Sequence, residues 1–441
     1  MRKRIRTTRS LCPVCLKNLP AQMTEQEDRQ IFLEKTCPDH GDFSVPVWRG
    51  RVDFHQWVQY AEPLTEAEGL SCPGHCGICG NHQVGTCCVL LEVTGRCNLH
   101  CRFCFANGGT SEKDPSMEEL KEAVRELVRQ CGQPLLQLSG GEPTLREDLP
   151  ELIRFAKKAG CSYVQLNTNG IRLAEDPAYA EALAEAGLDI VFLQFDGTDD
   201  QIYQYLRGKP LLELKTRAVE VCSDLQIGVT LVPTVVPGVN DQDLGSLVRF
   251  ARKRVPAVRG IHFQPVSYFG RYMGMPGDDG RYTLDQLMSD LSDQAGIPVE
   301  SFMPSRCDHP LCGFHANFLL TPGGLKPLTS ITRSARERGS ARDNREYVVR
   351  HWRRPEAEPK PAGNFSDEMD FDTFLYRLRH GSLTLSAMAF QDAMNLNVER
   401  LMRCSLHVYD RGTVKPFCAR YLTPMEDFRK GLVKQQFFTL S

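Results

Sequence analysis

The residues of this chain best placed to do chemistry are its cysteines. Cys72, Cys76 and Cys79 follow the pattern C-x3-C-x2-C, and Cys97, Cys101 and Cys104 repeat it a short way downstream. Thiolates at so short a spacing wrap one face of an iron–sulfur cube more naturally than they close on a lone zinc. The two sets differ in their fourth ligand. Cys87 follows Cys79 closely enough to complete a fully ligated cube, with Cys88 beside it either a competing ligand or a free thiol. No cysteine stands near after Cys104, so three thiolates would leave one iron open to a small-molecule chelate. An open coordination position is what separates a catalytic metal site from a structural one.

Two further groups flank these. Cys12-Pro-Val-Cys15 and Cys37-Pro-Asp-His40 are short knuckles of the kind found in zinc ribbons and rubredoxin, where tight turns aim ligands at one tetrahedral ion. They predict a mononuclear zinc or iron site, either purely structural or an entry port for electrons. Near the other end, Cys307 and Cys312, with Cys404 and Cys418, supply a complete set for another cube, serving electron transfer or simply stapling a domain. Cys131, Cys161 and Cys222 lie in or after helical stretches and read as core.

The composition supports metal ligation over disulfides. The chain has 441 residues, 18 of them cysteine, with no apolar segment after its basic start to act as an export signal; a cytoplasmic location is expected, where thiols stay reduced. With 53 basic and 55 acidic side chains the net charge is −2, which argues against nucleic-acid binding. No apolar run is long enough for a transmembrane anchor. Arg2, Lys3, Arg4 and Arg6, and the run Phe54, Trp57 and Tyr60, are the only hints of peripheral membrane contact; a solvated tail and a core stripe explain them better.

The elements that must position these cysteines are regular. Strands are expected at 89–94, 135–138, 163–166, 190–195, 228–232 and 260–264, separated by helices at 117–130, 149–159, 178–186, 211–225 and 244–254. Six βα units predict an α/β fold with a parallel sheet, a partial (β/α)6 barrel, whose rim at the strands' C-terminal ends carries the chemistry. The cysteine triple at 97–104 follows the first strand, and Gly140-Gly141-Glu142-Pro143 follows the second. The domains expected are a metal module at 1–60, an auxiliary cluster segment at 61–88, the barrel at 89–270 and a C-terminal cluster domain at 271–441. The last includes an exposed charged loop near 333–361.

Cys97-x3-Cys101-x-Phe103-Cys104 followed by Gly-Gly-Glu-Pro resembles the signature of the radical SAM enzymes. The whole chain resembles the tetraether-lipid-synthase-like branch and its (seleno)protein relatives of the TrsS type. The shared features are the N-terminal knuckles, the C-P-x-x-C-G-x-C-x-N-H stretch, the H-P-x-C element and the late cysteine pair. This resemblance implies that Cys97, Cys101 and Cys104 bind a [4Fe–4S] cluster whose open iron is chelated by S-adenosylmethionine (SAM). Gly140, Gly141 and Glu142 would meet the methionine end, and Phe103 would shield the cluster. Asn167, Asn169, Gln194 and Asp196 are candidates for ribose or carboxylate contacts by their place at strand ends; ordinary turn capping is the alternative. Two auxiliary [4Fe–4S] clusters, one mononuclear metal and an electron donor such as a ferredoxin or flavodoxin complete the expectation.

The implied chemistry is reductive cleavage of SAM to a 5′-deoxyadenosyl radical that takes hydrogen from an unactivated C–H bond. The branch points to carbon–carbon bond formation on, or other modification of, lipid alkyl chains. A peptide, corrinoid-linked or small-metabolite substrate is the alternative, and a multi-cluster electron carrier without SAM chemistry a third. The open iron beside a glycine turn argues against the third.

Overall fold

The computed structural model describes residues 2–59, 73, 77–109, 114–274, 277–305, 307–321, 323–331, 339–359, 361 and 371–424. Cys72, Cys76 and Tyr60 lie outside them, as do parts of the segments at 61–88 and 333–361.

The first fifty residues form an antiparallel sheet of four strands in sequence order: β1 (Lys3–Leu11), β2 (Asn18–Glu25), β3 (Ile31–Cys37) and β4 (Gly41–Trp48). The basic start is therefore an edge strand rather than a solvated tail. Its polar side chains tolerate the edge, and Arg6 finds a carboxylate partner in Glu399. Phe54 and Trp57 are buried on the short helix Phe54–Val58, and the Trp57 indole donates to the Pro310 carbonyl at 3.0 Å. They are core.

Six parallel strands follow: β5 (Cys88–Thr94), β6 (Leu135–Gly140), β7 (Tyr163–Thr168), β8 (Ile190–Gln194), β9 (Gly228–Val232) and, after the two-residue β10 (Thr234–Val235), β11 (Val258–Pro265). All six strands expected from the sequence are present. Their runs of Val, Leu and Ile are buried, as a sheet covered by crossover helices requires. The crossover helix Met117–Cys131 shows how its ends are set. Ser116 caps it by accepting from the Glu119 amide at 3.3 Å while the Glu119 carboxylate accepts from the Ser116 amide at 2.7 Å.

The C-terminal region then extends both edges of this sheet. After the antiparallel strands β12 (Met303–Pro304), β13 (Gly313–Thr321) and β14 (Gly324–Pro327), β15 (Ser382–Met388) runs parallel to β11. On the other side β16 (Leu406–Asp410) runs parallel to β5 and pairs with β17 (Thr413–Pro416). Eight parallel strands thus curve round one interior.

The stretch near 333–361 is not only exposed loop: it contains the helix Ala341–Trp352, opened by a Ser340–Asp343 capping box. Ala341, Val348 and Trp352 fall on one face at helical spacing and pack on the barrel beside Tyr163 and Phe192.

Candidate active site

The loop between β5 and Gly109 carries the central cysteine triple and is held by polar contacts along its length. Asp114 accepts from Thr94 Oγ1 at 2.6 Å and Arg96 Nε at 2.7 Å. The Glu142 amide donates to the Arg96 carbonyl at 2.7 Å, and the Gly141 amide to that of Thr94 at 2.8 Å. These approaches explain the glycines. A Cβ on Gly140, at φ 123°, would lie 2.3 Å from the Thr94 oxygen, and one on Gly141 would lie 2.1 Å from the Arg96 oxygen. The Gly-Gly turn is thus a seat for the cysteine loop. Arg271, not singled out by the sequence, clamps the far side: it exchanges backbone hydrogen bonds with Cys104 at 2.9 Å, and its Nε donates to the Cys101 carbonyl at 2.8 Å.

Cys97, Cys101 and Cys104 line one wall of a cavity of about 1130 Å³, counting space open to solvent. Phe103, Gly140, Gly141, Glu142, Asn167, Asn169 and Gln194 share that wall, so ten of the eleven residues expected at the reactive cluster and SAM come together. Burial, with the Glu142 carboxylate and the two sister thiols nearby, pushes the Cys97 thiol up to about 11. Thiolates here need a cation, and iron would supply it.

The carboxylate of Glu142 is buried and already accepts four hydrogen bonds. Oε1 takes the Thr144 amide and hydroxyl at 3.0 and 2.6 Å and the Thr168 hydroxyl at 2.7 Å; Oε2 takes the Asn169 amide at 2.7 Å. It locks the turns after β6 and β7 together. Asn169 donates to Asn98 Oδ1 at 2.7 Å, tying β7 to the cysteine loop.

Asp196 is the eleventh residue and stands behind the wall. It is fully buried and bound bidentately by Arg207, with Nε at 2.8 Å and Nη2 at 2.6 Å. Arg207 reaches the cavity and donates to the Phe103 carbonyl at 3.3 Å, so Asp196 acts on the site through Arg207. Beside it, the fully buried Lys215 ammonium donates to Gln194 Oε1 at 2.9 Å and to the Asn169 carbonyl; burial drives its pKa down to about 7. Nothing in the sequence marks a helical lysine as buried.

A second chamber of about 760 Å³ lies within the barrel and shares Phe105, Asn167, Phe192, Gln264, Phe390 and Phe417 with the first. Its strand-borne wall includes Gln137, Gln165, Phe192, His262 and Gln264, and the helix Ala341–Trp352 contributes Asn344 and Trp352. Cys88 opens onto it and donates to Gln137 Oε1 at 3.3 Å.

In the N-terminal sheet Cys12, Cys15, Cys37 and His40 converge, with ligand atoms all within 4.8 Å of one another. Cys15 and Cys37 sulfurs are 3.9 Å apart, and His40 Nδ1 is 3.6 Å from Cys12 and 3.4 Å from Cys37. A tetrahedron with metal–sulfur bonds of about 2.3 Å has sulfur–sulfur edges of about 3.8 Å, so these residues fit one ion. Each knuckle ends on a left-handed residue, Leu16 at φ 57° and Gly41 at φ 82°.

Among the described residues, Cys87 and Cys307 meet where the C-terminal region joins β5. Cys87, Cys307, Cys312 and Cys418 are buried, Cys404 is half-buried, and Cys79 is exposed. Ser405 connects Cys87 with Cys307: its carbonyl accepts from the Cys87 amide at 2.9 Å, and its hydroxyl from Cys307 Sγ at 3.2 Å. Arg400 Nε donates to Cys312 Sγ at 3.4 Å, and the Gln391 amide to Cys418 Sγ at 3.3 Å. Cys161 and Cys222 are buried in the main core, as expected.

Comparison with known proteins agrees with this geometry. The Radical SAM superfamily model matches residues 91–251, and that of the HMPTM N-terminal zinc ribbon domain matches residues 4–49. The chain belongs to the radical SAM superfamily, as an enzyme with an N-terminal zinc ribbon. It is 33% identical to the 7,8-dihydro-6-hydroxymethylpterin dimethyltransferase of Methanocaldococcus jannaschii, over 96% of this chain and 97% of that one. A probable GTP 3′,8-cyclase of Methanothermobacter thermautotrophicus is 30% identical over 37% of this chain and 53% of its own length. Among solved structures, anSMEcpe with bound AdoMet and a Cp18Cys peptide is similar at TM-score 0.39 and 19% identity, covering 47% of this chain and 58% of that chain. Membership implies a [4Fe–4S] cluster, SAM, a reductant and an organic substrate. Among the described residues no helix is long and apolar enough to cross a membrane.

Proposed function

We propose that this radical SAM enzyme abstracts hydrogen from a C–H bond of a polar, fused nitrogen heterocycle of the pterin type, as the entry to carbon–carbon bond formation. The observation that carries this reading is that the two cavities adjoin: the one walled by Cys97, Cys101 and Cys104 shares Phe105, Asn167, Phe192, Gln264, Phe390 and Phe417 with a chamber lined with amides and aromatic rings. The relatives support it, since a pterin and a guanine nucleotide, the compounds in their names, are both fused nitrogen heterocycles.

Cys97, Cys101 and Cys104 would hold the [4Fe–4S] cluster. When bound and reduced, that cluster supplies one electron that splits SAM into methionine and a 5′-deoxyadenosyl radical. Gly140, Gly141, Glu142 and Asn169 would receive the methionine end, Asn167 and Gln194 the ribose, and Phe103 would screen the cluster. Asp196 and Arg207 fix the carbonyl of Phe103 and with it the cysteine loop. Cys72, Cys76, Cys79, Cys87, Cys307, Cys312, Cys404 and Cys418 would hold two auxiliary clusters that relay electrons from a ferredoxin- or flavodoxin-like donor. Zinc suits the three-thiolate, one-imidazole set of the ribbon.

The alkyl-chain reading has its own supporting feature: Phe105, Phe269, Phe390 and Phe417 form an apolar face of the first cavity. The two readings separate in an anaerobic assay of reconstituted protein with reductant and SAM, which quantifies 5′-deoxyadenosine with a 7,8-dihydropterin or with membrane lipid. Cys101→Ala sets the baseline. A rise with the pterin alone is expected. A rise with lipid alone transfers the proposal to alkyl chains, and no rise with either refutes hydrogen abstraction from both classes.

A further inference from the structure

The strands around the lower chamber depart from the usual filling of a βα barrel. Inward positions of such barrels are ordinarily packed with branched apolar side chains. Here β6 presents Gln137 and Ser139, β7 Gln165 and Asn167, and β11 His262 and Gln264. Some of these satisfy one another: Gln137 Nε2 donates to Asn167 Oδ1 at 2.6 Å, and His262 Nδ1 pairs with Ser386 Oγ at 2.9 Å. Others do not. Gln165 is 2% exposed and Gln264 is half-buried, and neither side-chain amide has a hydrogen-bond partner among the described residues. The Nε2 atom of His262 is likewise unpaired among them.

Amides that face a cavity without protein partners are completed by whatever fills it, so this wall favours a ligand with matching donors and acceptors. Each amide both donates and accepts, and burial lowers the His262 pKa to about 4, so its imidazole is neutral at pH 7. Phe192 and Trp352, with ring centroids 4.9 Å apart, supply an aromatic face beside them. Asp308 is the one charged residue on the chamber wall among the described residues. Such a wall suits a flat, uncharged ring bearing alternating donors and acceptors. An alkyl chain would leave the amides and imidazole unsatisfied.

We infer that the lower chamber is the substrate-recognition subsite, in which Gln165, Gln264 and His262 read the lactam and amidine edge of a fused nitrogen heterocycle lying against Phe192 and Trp352. This rests on the heterocycle reading above and adds the residues that select the ring. The helix Ala341–Trp352 closes the chamber and makes a stretch that reads as a charged linker part of the specificity device.

The test is equilibrium binding of a 7,8-dihydropterin to the anaerobic, reconstituted full-length protein, without reductant, for the wild type, Gln165→Leu and Gln264→Leu. SAM binding to each variant checks that it is folded. Losing one buried amide partner should weaken pterin binding roughly 10- to 100-fold. Quenching of tryptophan fluorescence is an independent readout: the pterin should quench the wild type, and Trp352→Phe should lose that part of the signal. If the pterin binds and raises 5′-deoxyadenosine while both Leu variants and Trp352→Phe respond like wild type, the subsite is elsewhere and the heterocycle reading survives. If the pterin neither binds nor raises 5′-deoxyadenosine, both fall.

Discussion

The N-terminal ribbon and the loop at 97–104 both hold clustered cysteines, yet they are built to opposite ends. In the ribbon, four ligands from two knuckles close on one point, with all their ligand atoms within 4.8 Å of one another. In the loop, three sulfurs share a wall with a large cavity, and no fourth cysteine lines that cavity among the described residues. The first geometry would complete an ion's coordination and so stabilise a small sheet; the second would leave a position for a reactant. The same side chain would then serve folding or chemistry according to whether its surroundings complete the metal or leave it open.

The comparison breaks most sharply by exchanging the lesions. Cys101→Ala should reduce 5′-deoxyadenosine formation by roughly 1,000-fold or more, measured by chromatography, while the ribbon keeps its metal. Cys15→Ala should do the reverse: metal analysis should show the loss of about one zinc per chain. Limited proteolysis should open residues 2–49, and SAM should still bind. If Cys15→Ala abolished SAM binding, the ribbon would be part of the reactive site and the contrast would fail.

A smaller effect probes the seat of the open site. Gly140→Ala must hold φ near 123° and place its Cβ 2.3 Å from the Thr94 oxygen. The substitution should cost about 2–4 kcal/mol in denaturant unfolding and lower the iron bound by the barrel. The corresponding glycine of the ribbon, Gly41, has nothing within 4 Å of its added Cβ, so Gly41→Ala bears only the backbone strain, about 1 kcal/mol.

The smallest expected effect is on how the ribbon docks against the C-terminal region. Lys35, on β3, is buried and donates to Ser10 Oγ at 2.9 Å and to the Met394 carbonyl at 2.6 Å; burial lowers its pKa from 10.5 to about 7. Between those values the unfolded chain carries the extra proton, so this group makes stability rise with pH from about 7 to about 10. Its share is on the order of 1 kcal/mol per pH unit in that window. Lys215 titrates in the same range, so the measurement is the difference between wild type and Lys35→Met: the variant should show a shallower rise. Equal slopes would mean that Lys35 is charged in the fold.

Much of this was legible in the sequence because metal ligation imposes spacing. The knuckles and the triple at 97–104 read directly, and the six alternating strands followed from apolar runs between amphipathic helices. What escaped depended on distant packing. β1 reads as a basic tail because its contacts lie on β2 and with Glu399. The helix Ala341–Trp352 hides a narrow apolar face among charges. β15 and β16 join the barrel only through strands far away in the chain. The role of Asp196 changed because its partner, Arg207, sits on the next helix. One signal was present and unread: the alternation of Gln137 with Ser139, Gln165 with Asn167 and His262 with Gln264 marks inward polar positions on three strands.

The proposed reaction takes a hydrogen atom from a ring-bearing substrate at the open site. The most direct measurement incubates the reduced enzyme anaerobically with SAM and a 7,8-dihydropterin deuterated at its carbon positions, then weighs the 5′-deoxyadenosine by mass spectrometry. The expected product is 5′-deoxyadenosine carrying one deuterium. Product formed without deuterium would contradict the proposed reaction.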